Sequence, residues 1–169
     1  KELLEKYDIE VIPLSVTLGE NTYKDGVDIC AQDIFDFYNN NKILPKTSAV
    51  SVLEYTEVFT HWVEKGYDVI HFTISSTMSA CYQNACLAST EVDGVYPVDT
   101  KTLSTGMSLL ALEGAEMAKE EGMTGAKIQQ YLNERREKLD VSFLVERLDY
   151  LRKGGRCSAV AALGANLLG

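Results

Sequence analysis

The chain has 169 residues, 46% of them hydrophobic and 24% charged, with a formal net charge of −9. That length accommodates one domain with a sizeable core and part of a second. The acidic balance sets nucleic acid aside as a partner, because a phosphate backbone demands a basic surface; it also disfavours lasting attachment to anionic lipid, while leaving transient membrane contact open.

Ile9 to Leu18 is rich in Ile, Val and Leu and reads as a strand. Gly19-Glu20-Asn21 signals a turn, and Asn21 to Lys24 reads as a short returning strand. Asp28 is placed to cap a helix through Phe35 and Tyr38, which the Asn39-Asn40-Asn41 run ends. A loop through Pro45 leads to Ser51-Val52-Leu53-Glu54, a capping box. The helix after it carries Val52, Tyr55, Phe59 and Trp62 at helical spacing and stops at Gly66.

Tyr67 to Ile74 reads as a buried strand, followed by the polar loop Ser75 to Ser79 and a helix over about Ala80 to Glu91. Gly94 to Val98 is a further strand, and Asp99 to Ser104 leads into a helix reaching about Glu121. Thr124 caps a helix with Ile128, Tyr131, Leu132 and Leu139 on one face. Val141 to Val145 reads as the last strand, and a short helix with Leu148, Tyr150 and Leu151 ends at Gly154-Gly155. Strands alternating with helices predict an α/β fold, an open and mostly parallel sheet with helices on both faces.

The chain opens without methionine inside a helical pattern and closes on the apolar stretch Ala159 to Gly169, so both ends are expected to be cut from something longer. No apolar run reaches the roughly 20 residues needed to span a bilayer. No signal-like segment opens the chain. Cys30, Cys81, Cys86 and Cys157 lack paired spacing and read as small buried thiols in a reducing cytoplasm, with no metal and no cofactor expected.

In an open α/β sheet, ligands sit beyond the carboxyl ends of the strands. Three hydroxyl-rich segments fall there or just ahead of a helix: Lys46 to Ser51, Ser75 to Ser79, and Thr100 to Thr105. Hydroxyls beside the free N–H groups of a helix start suit a carboxylate or phosphate. Ser and Thr also cap helices everywhere, and Ser51, Ser79 and Ser104 are the best candidates for that plain role. Capping leaves Thr47, Ser75 and Ser76 unexplained. Lys153 and Arg152 suit the end of a glycine-terminated helix, whereas Arg156 lies past the glycines and is free to face a ligand head or a partner. His61 and His71 sit on a helix and a strand, outside these loops. Nucleophile elbows and phosphate-binding glycine loops are both missing from the sequence.

Four segments together resemble the DegV family. They are Pro45-Lys46-Thr47-Ser48 with Ser51; Ile74-Ser75-Ser76-Thr77-Met78-Ser79-Ala80-Cys81-Tyr82-Gln83-Asn84-Ala85; Val98-Asp99-Thr100-Lys101; and Tyr150-Leu151-Arg152-Lys153-Gly154-Gly155-Arg156. The resemblance covers nearly the whole chain. It implies a two-domain α/β carrier, with residues 1–147 as the N-terminal domain lacking its first strand and 148–169 as the incomplete start of the second. It further implies a fatty-acid-binding subunit, not itself an enzyme, that hands the carboxyl group to a separate fatty acid kinase.

By this likeness Thr47 and Ser76 bind the carboxyl, Ser48, Ser75 and Ser79 support the loops, and Arg156 lies at the head-group mouth or touches the partner. The expected ligand is a long-chain acid of about C14–C18; at about 0.8 kcal/mol per buried methylene its tail offers roughly 10 kcal/mol before association costs. Val50, Ala80 and Cys81 depart from the family's proline, glycine and threonine. Two other readings stay open on the residues alone: a phosphoryl- or acyl-transfer enzyme using the serine loops, and a small-anion-binding regulatory module.

Overall fold

The computed structural model describes residues 2–144 and 149–156. In chain order the elements are α1 (Glu2–Tyr7), β1 (Ser15–Leu18), β2 (Asn21–Lys24), α2 (Ala31–Asn41), β3 (Lys46–Ser48), α3 (Val52–Glu64), β4 (Val69–Thr73) and α4 (Cys81–Ser89). They continue as β5 (Val95–Asp99), α5 (Ser104–Met117), α6 (Gly125–Arg135) with a 3₁₀ turn at Arg136–Lys138, and α7 (Asp149–Lys153).

The fold is α/β, and its centre is the parallel pair β4–β5, in which Val69 faces Val95 and Thr73 faces Asp99. Side chains alternate across a strand, so this pair feeds two cores. On one face Val69 and Val95 meet Tyr55 and Phe59 of α3 and Ala85 and Ala88 of α4. On the other, Ile70, Phe72 and Val98 meet Leu110 and Met117 of α5 and Ile128 and Leu132 of α6. Helices therefore cover both faces of the parallel strands.

The other described strands form a separate antiparallel sheet in the order β2-β1-β3. A two-residue turn joins β1 to β2, with Gly19 at φ 66°, a conformation that glycine adopts without Cβ strain. Val16 and Leu18 bury one face of this sheet against Ile29, Ile34 and Phe37. On the far side Val16 pairs with Thr47, which brings the first hydroxyl-rich segment into a ladder.

Several boundaries differ from the sequence reading. The first strand covers only Ser15–Leu18, because Pro13 removes a ladder donor and Ile12 and Leu14 turn sideways onto the first core. Asp28 does not cap α2: its carboxylate accepts from the Lys24 amide at 2.7 Å. Cys30, exposed where a buried thiol was expected, is the N-cap, and its amide donates to Asp33 at 2.8 Å. Residues 141–144 are not a strand; Val141 lies over Gly106, Leu144 is wholly exposed, and Val145 falls outside the described residues. Ser104 begins α5 at φ 52° while Leu103 is the N-cap, and the cap of α4 is Ala80 instead of Ser79. Ser51 and Thr124 cap as expected, each accepting from the third amide of its helix.

Candidate functional site

The parallel strands end at Thr73 and Asp99, and the two chains that leave them are tied together at once. The Ser75 amide donates to the Thr102 carbonyl at 2.8 Å, and the Thr100 hydroxyl donates to the Thr73 carbonyl at 2.7 Å. Thr100 and Thr102 are buried, so the third hydroxyl-rich segment serves as the floor under the second. Within the Ser75–Ser79 turn, the Ser75 carbonyl accepts from the amides of Met78 and Ser79. The Ser75 hydroxyl meets that of Thr77 at 2.9 Å. Ser75 is thus spent on shaping the loop.

Ser76 is held differently. Its amide donates to Asp99 Oδ1 at 3.1 Å and its hydroxyl to Asp99 Oδ2 at 2.6 Å; the Lys101 amide also donates to Oδ1 at 3.0 Å. Asp99 itself is buried, and Arg136 Nη1 reaches its backbone carbonyl at 2.5 Å. Lys101 adopts φ 54°, the left-handed turn that lets its amide point back at the carboxylate.

Two adjoining hollows open at this end of the sheet. One, of about 400 Å³, is lined by Ser76, Thr77, Met78, Ser79, Ala80, Gln83 and Arg156. The other, of about 180 Å³, is lined by Leu14, Thr47, Ser48, Ala49, Ile74, Met78, Ser79 and Arg156. Met78, Ser79 and Arg156 belong to both, so Thr47 and Ser76 look into neighbouring parts of one depression. Its walls mix hydroxyls with the apolar side chains of Leu14, Ile74 and Met78. The Thr47 hydroxyl makes no hydrogen bond among the described residues.

Arg156 arrives from α7. Gly155, at φ 74°, lets the chain reverse, and the Arg156 amide closes onto the Leu151 carbonyl at 2.8 Å, the terminal bond of a Schellman motif. The Arg156 guanidinium donates to the Met78 carbonyl at 3.4 Å and to that of Gly154 at 2.5 Å, which leans it across the mouth. Among the described residues it is the one ionised side chain lining either hollow.

The departures from the family pattern are accommodated here. Ala80 has φ −74° and ψ 0°, so no glycine is needed to enter α4. Cys81 is buried and is not among the residues lining the hollows; the Ser79 hydroxyl donates to its thiol at 3.1 Å and accepts from its amide at 3.2 Å. Val50 is buried, with its carbonyl held by Asn84 Nδ2 at 2.7 Å.

His71 lies in the core beneath, its ring 4.7 Å from Tyr55 and 5.3 Å from Phe59. Burial lowers its pKa to about 4, and Nε2 has no hydrogen-bond partner among the described residues. Burial also pushes the Tyr55 phenol upward, with the Cys81 thiol beside it adding to the effect. His61 is exposed on α3, 2.8 Å from the Lys65 ammonium.

The structure thus gathers Thr47, Ser48, Ser76, Ser79 and Arg156 at one rim, with Ser75 behind them. Sequence reasoning gave Asp99 no role of its own, although a carboxylate directly after the apolar run Val95–Val98 was a readable signal. Gln83 and Met78 were also without roles and line the larger hollow.

The whole chain, residues 1–169, matches the family described as "Uncharacterised protein, DegV family". A DegV domain-containing protein of Clostridium perfringens is 36% identical over all of this chain and 61% of its own length. A fatty acid-binding protein of Thermotoga maritima is 38% identical over 98% of this chain and 59% of its own. Among solved structures, a stearic acid-binding protein of Eubacterium ventriosum superposes with a TM-score of 0.79 at 35% identity, covering 97% of this chain and 59% of that one. The chain accordingly spans about three fifths of the length of these relatives. With a family match from end to end and the same fold in a solved relative, this chain belongs to the DegV family.

Proposed function

We propose that this chain binds a long-chain fatty acid with its carboxyl group between Thr47 and Ser76, and presents that carboxyl to a separate kinase that makes the acyl phosphate. The observation that carries the reading is the shared rim: two hydroxyls look into adjoining hollows joined by Met78, Ser79 and Arg156. Leu14, Ile74 and Met78 begin the apolar wall that the first methylenes need. Relatives described as binding stearic acid or fatty acid support the ligand class. In this reading the site is cytoplasmic, residues 1–147 form one α/β domain, and residues 148–169 open a second that completes the tunnel. Ser48 and Ser79 support the loops, and Arg156 meets the kinase or steadies the phosphate, since a guanidinium fork suits both oxyanions.

The test is native mass spectrometry of the purified protein, which should carry or take up acids of about C14–C18, with affinity rising per methylene as apolar burial requires. Thr47→Ala and Ser76→Ala should each weaken retention about three- to tenfold, the range for one hydrogen bond. Binding that ignores chain length would mark a small-anion module instead. Empty protein that takes up no added stearate would end the proposal.

A further inference from the structure

A carboxylate ligand needs donors, and the Ser76 hydroxyl has only one proton to give. That proton is already committed to Asp99 Oδ2 at 2.6 Å. Asp99 cannot turn away, because its other oxygen is pinned by the amides of Ser76 and Lys101 at 3.1 and 3.0 Å. What Ser76 can offer the hollow is therefore a lone pair. Thr47, with no partner of its own among the described residues, keeps its proton available. One acceptor and one donor complement a protonated carboxylic acid, whose O–H would donate to Ser76 while its C=O accepts from Thr47.

We propose, resting on the fatty-acid reading above, that Asp99 is a positioning residue that fixes the hydrogen-bond polarity of Ser76, so that the site takes the acid in its neutral, O–H-bearing form. An ionised acid arriving from water takes up one proton from solvent as it binds. The apolar walls favour the same form, since desolvation penalises charge. Arg156, as the ionised side chain on the lining, pulls the other way, and its guanidinium is shared with the carbonyls of Met78 and Gly154. The remaining charged groups near Asp99 are occupied elsewhere. Arg136 holds the Asp99 carbonyl and a carboxylate oxygen of Glu137, and the Lys101 ammonium pairs with Glu137 at 2.5 Å. Tyr82, which also faces Asp99 and Arg136, has its phenol pushed upward chiefly by burial.

The decisive variant is Asp99→Asn. The two backbone amides that converge on Oδ1 orient the new carbonyl, which leaves the NH₂ facing Ser76. Ser76 must then accept from it, and its own proton swings free to serve an ionised ligand. The experiment binds carboxyl-¹³C stearate to the full chain and follows its ¹³C shift against pH. The bound acid should lose its proton at a pH about one unit or more lower in Asp99→Asn than in the parent, a tenfold change or greater.

Removing a nearby negative charge would also lower that midpoint, so the same exchange is made on a Ser76→Ala background. There the shift should largely vanish. An equal shift in both backgrounds would overturn the proposal in favour of simple through-space charge, as would an unchanged midpoint in Asp99→Asn. If the parent protein binds no stearate, the fatty-acid reading fails first and the inference falls with it.

Discussion

His71 shows how one residue couples the core to pH. It stands on the inward face of β4 between two aromatic rings, with Nε2 buried and unpartnered among the described residues and a pKa of about 4. Since the folded value lies below the unfolded one, the unfolded chain binds more protons between the two. Stability is therefore complete above about pH 6.5 and declines as pH falls toward 4, by about 3 kcal/mol if the whole shift is expressed. Urea melts from pH 7 to pH 4 should show this slope, and His71→Phe should flatten it. A parent protein whose urea midpoint is level over that range would contradict the assignment. Asp99 acts at the same scale: one carboxylate receives three donors, the Ser76 hydroxyl among them, and on our proposal this sets what Ser76 offers a ligand.

At the scale of elements, caps and close approaches set the geometry of the rim. The capping box of α3 is complete: the Ser51 hydroxyl accepts from the Glu54 amide at 3.2 Å, and Glu54 accepts from the Ser51 amide at 3.1 Å. Lys24 of β2 pairs with the same glutamate, so the cap also ties α3 to the antiparallel sheet. Its carboxyl is held below the usual range by Lys24 first and then by the Ser51 amide. Ser51→Ala should cost about 1 kcal/mol in chemical denaturation, the usual worth of such a cap.

On the opposite face α6 packs against β5 through a glycine. A Cβ on Gly125 would come within 2.2 Å of the Tyr96 ring, and the Gly125 amide donates to Asp68 at 3.0 Å. Gly125→Ala should lower stability by about 1–3 kcal/mol, as overpacking does. The loss should appear in the melting curve and leave the proposed stearate binding unchanged, because α6 does not line the hollows.

Across the whole molecule the candidate rim joins parts that belong to different layers. Thr47 comes from the antiparallel sheet, Ser76 from the end of the parallel pair, and Arg156 from beyond α7. Tyr150 of α7 meets Tyr38 of α2 edge-on at 5.5 Å, which helps bring that last segment back to the rim. Arg156→Ala should leave stearate retention within about twofold, since an exposed charge contributes little to affinity. Transfer of phosphate to the bound acid by a fatty acid kinase should fall much further. Equal loss of both would move Arg156 from the proposed partner contact into the proposed lipid site.

Much of this protein was legible in its residues. The long helices, the parallel strands β4 and β5, the Ser51 and Thr124 caps and the DegV motifs all follow local rules, in which spacing, propensity and capping act between near neighbours. The short strand β3 was not legible, because three exposed residues carry no apolar alternation and become a strand only when Val16 lies alongside. The division into two sheets, the false strand at residues 141–144 and the sideways turn of Ile12 and Leu14 escaped for the same reason. Local sequence could name Thr47, Ser76 and Arg156. Tertiary structure alone could bring them to one depression and turn the Ser76 proton toward Asp99, because hydrogen-bond polarity depends on which groups meet through space.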